Sequence, residues 1–434
     1  MRTPICDFVR RYAADEMLRL HMPGHKGVGP LGIETLDLTE IAGADSLYEA
    51  EGVIRESEDN ASRLFGCATF YSTEGSSQCI RAMLRLVLQR GRRVVAARNA
   101  HKTFLSAAAL LDLDVTWLPA TGENYLSCAV DLQTLERVLN ETCPAAVYLT
   151  SPDYLGNMAD IEAISAVCHR HGALLVVDNA HGAYLRFLHP SRHPIDLGAD
   201  LCCDSAHKTL PVLTGGAYLH IADRVAELIP QAKNALALFG STSPSYLILQ
   251  SLDAANPYLE RYPEQISNFL AEVEACRAAL RKQGYTLCGD EPMKLTIRPK
   301  TYGYTGVELA EQLRRAHIEC EFADPDYLVL MPTPETGAEG LCRLKSALCA
   351  IPRRERIETG APLLPQCERI LSIREAMLAP CETVPVHESL GRILAAATVG
   401  CPPAVPIVIT GERINAQARS CFAYYGIETV CVVV

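Results

Sequence analysis

The chain has 434 residues, 21% charged and 49% in the hydrophobic set, a balance that excludes disorder and supplies a large core over roughly two domains. Its formal net charge is −11 and no dense Lys/Arg run breaks the acidity, which argues against a nucleic-acid partner; an acidic balance suits a cationic substrate but decides little. No stretch approaches the roughly 18 apolar residues of a spanning helix, and Met1–Arg11 carries Asp7 and no long apolar run, so neither a membrane span nor a secretory signal is expected.

The 18 cysteines are scattered, and no two are spaced as Cys-x-x-Cys, against a zinc ribbon or a thioredoxin-like site. The expectation is a reducing cytoplasm, with free thiols packed as small hydrophobes. Short apolar runs alternate with helical patterns from about Ala61 to Ala222. Ser76–Gln89 carries a stripe of Ile80, Met83, Leu84, Val87 and Leu88 and predicts a helix. Arg93–Ala97, Ala146–Thr150, Leu174–Asp178, Asp200–Asp204 and Gly216–Ala222 read as strands. Ile161–His171 fills one gap as a helix, closed by Gly172. Such alternation implies an α/β domain with a mostly parallel sheet covered on both faces. Phe239–Pro257 marks the expected exit from it. A smaller α+β portion follows, with a long helix over Gln265–Gln283, strands at Lys294–Arg298 and Tyr327–Met331, and a helix over Gly306–Ala316. Pro352–Pro365 reads as a linker, Ser372–Leu378 as a helix, and Cys401–Pro406 as an extended proline segment. The division expected is an N-terminal arm over 1–35, a large domain over 36–258, a small domain over 259–352 and a C-terminal subdomain over 366–434.

In open α/β sheets a ligand sits beyond the carboxyl ends of the strands. Titratable residues follow each of these strands: His101 after the first, Ser151–Gly156 after the second, Asp178 and His181 after the third, and Ser205, His207 and Lys208 after the fourth. Pyridoxal phosphate would use this set. It needs a lysine for its imine, an acid at the pyridine nitrogen, donors for a dianionic phosphate and a flat group on its ring. Lys208 supplies the amine and Asp178 the acid. The loop Ser72–Ser77, with Gly75, Ser76 and Ser77, opens a helix whose free N–H groups favour an anion, and Ser205 and His207 add donors. His101 can stack on the ring and His181 can bond the phenolic oxygen. Each residue alone has an ordinary explanation: a solvated surface lysine, an aspartate capping a turn, a serine at a helix start, histidines satisfied in a core. The ordered set on successive strand ends is what carries the inference. His21/His25 and His189/His193 share the spacing of a zinc pair, but proline within each span removes the helix that would align them, so no metal is expected.

His21-Met-Pro-Gly-His-Lys26 resembles a signature of the bacterial ornithine/lysine/arginine decarboxylases. Asp178-Asn-Ala-His-Gly182, the lysine box Ser205–Leu210, the segment Thr242–Tyr246 with Ser251–Asp253, and Cys401–Glu412 are similar to further elements of that family. The resemblance spans about His21 to Glu412 and points to the short, Gram-positive-type branch without an N-terminal wing domain. It implies fold type I, the aspartate-aminotransferase-like architecture, and a homodimer or higher homo-oligomer with active sites at the interface. By the same resemblance Lys208 forms the imine, Asp178 meets the pyridine nitrogen and His101 covers the ring. Ser76, Ser205 and His207 hold the phosphate, Thr242 or Ser243 reaches in from the partner, and Glu412 lies near the substrate. The departures are Asn179 for Glu, Cys401 for Tyr, Ala404 for Gly and Thr410 for Pro.

The activity expected is decarboxylation of a basic amino acid, arginine or lysine ahead of ornithine, for polyamine supply, with Lys208 or His207 returning a proton to the reacting carbon. Glu412 is the first candidate for the substrate's distal cation, ahead of Asp45 and Asp326. The rivals are another fold type I reaction, such as transamination or carbon–carbon cleavage, and a non-catalytic regulatory homologue.

Overall fold

The computed structural model describes residues 1–119, 124–127, 129–396 and 403–434. Seven strands, β1 (Ala68–Ser72), β2 (Arg93–Ala96), β3 (Asp114–Trp117), β4 (Ala146–Thr150), β5 (Leu174–Asp178), β6 (Leu201–Asp204) and β7 (Ala217–Ile221), form a mostly parallel sheet in the order β1-β7-β6-β5-β4-β2-β3. β7 alone runs against both its neighbours. The backbone groups into two compact units, Met1–Gly91 with Ile164–Gln265, and Arg92–Ala163 with Ile266–Val434.

In the first unit, β5 and β6 run parallel with Asp178 opposite Cys203. Both strands are buried from end to end, as continuous apolar runs must be when each face is covered. The helix Gly75–Val87 buries Ile80, Met83, Leu84 and Val87, the stripe its sequence spells out. Asp253, in the helix Tyr246–Leu259, is fully buried and accepts from the Cys6 amide at 2.9 Å and Ser57 Oγ at 2.6 Å. It thereby ties the helix Pro4–Ala14 to the helix Val53–Phe65. The histidines of the first motif go to separate partners: His21 Nε2 to Tyr12 Oη at 2.7 Å, His25 Nε2 to Asp37 Oδ2 at 3.1 Å.

The second unit holds β2, β3 and β4, with β2 parallel to both others. It also holds an antiparallel sheet of β8 (Thr286–Cys288), β9 (Leu295–Arg298), β10 (Phe322–Ala323) and β11 (Leu328–Leu330), ordered β10-β11-β9-β8. The helix Gly306–Arg315 starts on a reciprocal cap between Thr305 and Glu308. Residues 352–368 have neither helix nor strand, but Tyr304 Oη donates to the Pro352 carbonyl at 2.8 Å and the Arg354 guanidinium lies 4.2 Å from the Tyr304 ring centre. Near the C-terminus, Ser372 and Glu375 cap the helix Ile373–Leu378, and β12 (Cys381–Pro385) pairs antiparallel with β13 (Thr429–Val433) over a core that includes Ile414, Phe422 and Val432. The strands β1, β3, β8, β10, β12 and β13 have no counterpart in the sequence expectations; β3 is only four residues and β12 is largely exposed, so neither shows an apolar run. Cys401 and Pro402 lie outside the described residues.

Candidate active site

Two loops and a helix start meet in the first unit. After β5 the chain turns through Asp178–Gly182, closed by the Gly182 amide on the Asn179 carbonyl at 2.8 Å. A Cβ at Gly182 would stand 2.0 Å from Asn179 Oδ1, so a side chain there would have to displace Asn179. Asp178 is 2% exposed, and its Oδ1 accepts from the Ala180 amide at 3.2 Å and the Cys203 thiol at 3.7 Å. Burial first, and then the charge of Asp178, pushes the Cys203 thiol well up, so the thiol remains a donor to that carboxylate.

Beyond β6, the helical turn Ala206–Thr209 points Lys208 back toward that loop. Lys208 Nζ lies 3.0 Å from His181 Nε2, and His181 is 5% exposed. His207 places Nδ1 2.9 Å from the Gly216 carbonyl, an arrangement in which Nδ1–H donates; burial, and next the charge of Lys208, disfavours its cationic form. Ser205 Oγ donates to Ser76 Oγ at 2.7 Å, bringing the end of β6 to the first turn of the helix Gly75–Val87. No acidic residue stands in that turn. Gly75 has φ +70° and its amide donates to the Gly215 carbonyl at 2.8 Å, while a Cβ at Gly215 (φ +102°) would come within 2.8 Å of the Thr73 carbonyl oxygen. Two hydroxyls at a helix N-terminus, a buried carboxylate and a lysine paired with an imidazole fit the phosphate, pyridine nitrogen and aldehyde of pyridoxal phosphate.

Behind this site stands a group that sequence reasoning missed. Asp204, fully buried, accepts from His193 Nε2 and His220 Nε2, each at 3.1 Å, and from Asn179 Nδ2 at 2.7 Å. Burial alone would raise this carboxyl; the two imidazoles outweigh it and hold the group well below the usual carboxylate range. Burial pushes His220 below its ordinary value, against the pull of Asp204. The three ligand atoms lie within 4.8 Å of one another, but hydrogen bonds account for them: His193 Nδ1 accepts from the Ile195 amide and His220 Nδ1 meets Thr69 Oγ1 at 3.0 Å. The cluster also explains one departure. Asn179 offers Asp204 a donor, where a glutamate would face it with a second charge. The available signal was Asp204 itself, a carboxylate at the buried end of an apolar strand.

In the second unit, His101 caps the helix Lys102–Leu111, its Nδ1 accepting from the Thr103 amide at 3.2 Å. The neighbouring Lys102 amide donates to the carbonyl of Ala404, which is buried at φ +55°, a left-handed conformation that accounts for glycine at this position in the family pattern. The Thr410 hydroxyl is buried without a partner. Glu412 is engaged by both terminal nitrogens of Arg98, at 2.5 and 3.2 Å, and by the Ile409 amide at 2.9 Å; Arg98 in turn lies 5.9 Å from the Trp117 ring centre. Asp326 Oδ1 meets Lys300 Nζ at 2.7 Å and Tyr424 Oη at 2.8 Å, on the wall of a cavity of about 450 Å³. Asp45, in the first unit, accepts from the amides of Ser46, Glu51, Gly52, Ile54 and Arg55. That geometry makes Asp45 an anchor of the helix start Val53–Phe65. Thr242 and Ser243 are exposed.

Residues 3–289 match the family model described as Orn/Lys/Arg decarboxylase, major domain, and residues 368–429 match the model of its C-terminal domain. The chain belongs to the Orn/Lys/Arg decarboxylase family. It is 30% identical to the uncharacterized protein YaaO of Bacillus subtilis, over 96% of this enzyme and 93% of that protein. It is 28% identical to the arginine decarboxylase of Bacillus subtilis, over 96% and 92%. Its fold is similar to that of the lysine decarboxylase of Francisella novicida, with a TM-score of 0.83 at 17% identity over 100% of this enzyme and 81% of that chain. The alanine–glyoxylate aminotransferase of Nostoc sp. shares the fold type I core, with a TM-score of 0.56 at 18% identity over 68% and 85%. The enzyme is therefore a decarboxylase of basic amino acids, in a family that uses pyridoxal phosphate, and the rival of a different fold type I reaction is not favoured.

Proposed function

We propose that the enzyme releases CO2 from arginine, leaving the corresponding amine for polyamine supply, with pyridoxal 5'-phosphate carried on Lys208. The meeting of Lys208, His181, Asp178 and the Ser76–Ser205 pair within one unit carries this proposal. Arginine is placed ahead of lysine because relatives matching over more than nine-tenths of their length bear the name arginine decarboxylase. When bound, the cofactor supplies the electron sink for the carbanion left by CO2. Asp178, already buried as an acceptor, holds the proton on the pyridine nitrogen. Gly75, Ser76, Ser77, Ser205 and His207 hold the phosphate, and His101 covers the ring. Lys208 or His207 returns a proton to the reacting carbon. For the distal cation, Glu412 keeps its assignment although Arg98 already engages it, ahead of Asp45 and Asp326.

The domain division of the sequence, an arm over 1–35, a cofactor domain over 36–258, a small domain over 259–352 and a subdomain over 366–434, is proposed with it. So is a homodimer in which Thr242 or Ser243 completes the partner's site. Its support is an apolar run left in solvent: Met17, Leu18, Leu20, Met22, Val28 and Leu31 are 58–83% exposed. Buried free thiols such as Cys79, Cys202 and Cys203 support a reducing, cytoplasmic setting.

The test is CO2 release from arginine, lysine and ornithine, beside mass spectrometry of protein reduced with borohydride. The expected result is CO2 from arginine and a pyridoxyl adduct on Lys208, with Lys208→Ala losing the adduct and at least about 10³-fold in rate, as for loss of a covalent catalyst. CO2 from lysine alone moves the substrate assignment. Absence of an adduct with cofactor added overturns the proposal. Glu412→Gln is expected to raise KM for arginine about tenfold or more, the effect of losing a charged contact; an unchanged KM passes the role to Asp45 or Asp326.

A further inference from the structure

The ribbon of β12 and β13 carries a pair of thiols. The two strands pair antiparallel with Thr383 opposite Cys431 and Cys381 opposite Val433. Side chains alternate across a strand, and Val384, Val430 and Val432 are buried on the inner face, so Cys381 and Cys431 share the outer one. They are diagonal neighbours there, close enough for side-chain contact. The thiols do meet: burial first, then a hydrogen bond to Cys381 and its charge, push the Cys431 thiol up. Cys381 is exposed and Cys431 half-buried, so a reagent from solvent meets Cys381 first. Diagonal positions lie slightly farther apart than the usual separation across a disulfide, so a bond between them requires a small backbone shift. Cys381 is the first residue of β12 and Val433, opposite it, the last of β13, so that shift falls at one end of the ribbon. Between the two cysteines the chain runs through Ala404, whose carbonyl accepts from the Lys102 amide, and Glu412, held by Arg98.

We propose that Cys381 and Cys431 form a reversible disulfide, made by exchange with a low-molecular-weight disulfide, that staples β12 to β13. The Cys381 thiolate attacks one sulfur of the small disulfide, whose S–S bond breaks, and one small thiol leaves. The Cys431 thiol then gives its proton to solvent and attacks the Cys381 sulfur, and the second small thiol leaves. Two protein thiols are oxidised, and one small disulfide is reduced to two thiols. The bond ties the chain between residues 381 and 431 into a ring. An unfolded chain so tied has fewer conformations to gain, so the folded ribbon resists melting. Neither cysteine belongs to the set assigned to cofactor or substrate, and the inference stands apart from those assignments.

The experiment reduces the full-length enzyme, removes the reductant and adds oxidised glutathione at about pH 8, where thiolate is populated. Remaining thiols are then blocked with iodoacetamide, and the protein is mapped without reduction by peptide mass spectrometry. The exposed Cys143 serves as the reference for reaction with the oxidant. The expected product is a peptide pair joined between Cys381 and Cys431, two hydrogens lighter than the reduced pair and separated again by dithiothreitol. Cys431→Ser is expected to trap the glutathionyl group on Cys381. In calorimetry the oxidised wild type is expected to melt about 3 °C or more above the reduced wild type, and the difference to vanish in Cys431→Ser. A wild-type protein whose Cys381 keeps the glutathionyl group overturns the proposal, as does one whose Cys143 is modified while Cys381 and Cys431 both remain thiols. A joined pair with an unmoved melting temperature overturns the staple. Both comparisons can be made between two redox states of the wild type, so a variant that does not fold leaves the test intact.

Discussion

Two buried carboxylates, one in each unit, have been pushed in opposite directions. Asp204 is fully buried and its carboxyl is held well below the usual range; Asp324 is 7% exposed and its carboxyl is raised to about 6. Burial penalises the charge in both. Asp204 offsets it with two imidazole N–H groups and the Asn179 amide. Asp324 has two backbone amides on Oδ1, at 2.7 Å each, and nothing on Oδ2, and the charge of Asp326 works against it. Burial depth does not set the state of a carboxylate; the donors gathered around it do. The supported one lies behind the site, where β5 and β6 deliver Asp178 and Lys208.

Three substitutions would break or sharpen this contrast. Asp204→Ala leaves two imidazoles, the Asn179 amide and the Cys202 thiol without this acceptor and is expected to cost about 3–5 kcal/mol in urea unfolding at pH 7, the range for removing one member of a buried charged network. A cost under about 1 kcal/mol would refute a keystone role for Asp204. The wild-type contribution of Asp204 is present above the unfolded carboxyl value and lost as pH falls through its depressed one, so the variant flattens the acid limb of the stability curve. Asp324→Asn has the opposite sign. A raised carboxyl contributes stability below 3.8 that is lost as pH rises through about 6, so wild type should lose about 3 kcal/mol relative to the variant between pH 4 and 8. A pH-independent difference would show that Asp324 ionises without penalty. Asn179→Ala removes the amide donor to Asp204 and is expected to cost about 1–2 kcal/mol in thermal melting; no cost would leave the support of Asp204 to its other donors.

Much of both units was legible in the chain. Leu174–Asp178 and Ala146–Thr150 are strands to the residue, and the helices at 161 and 306 begin where their patterns begin. Long apolar runs, and stripes ended by a left-handed Gly172, depend on neighbouring residues alone. The four-residue β3 and the exposed β12 carry little apolar signal, since pairing holds them. Within the site, Lys208, His181, Ser76 and Ser205 were readable as strand-end chemistry and are brought into contact. That five amides scattered over residues 46–55 converge on Asp45 was not legible, because only folding gathers them.

By itself the sequence determined the fold class, the family and the residue types available for chemistry, because periodicity and motifs are properties of consecutive residues. Only the tertiary structure decided which acids are already engaged, that Glu412 faces Arg98, that Asn179 supports Asp204, and that His181 rather than His207 meets Lys208 Nζ. Those pairings join positions 25 to 314 residues apart, and such distances close only when packing brings the ends of separate strands and loops together.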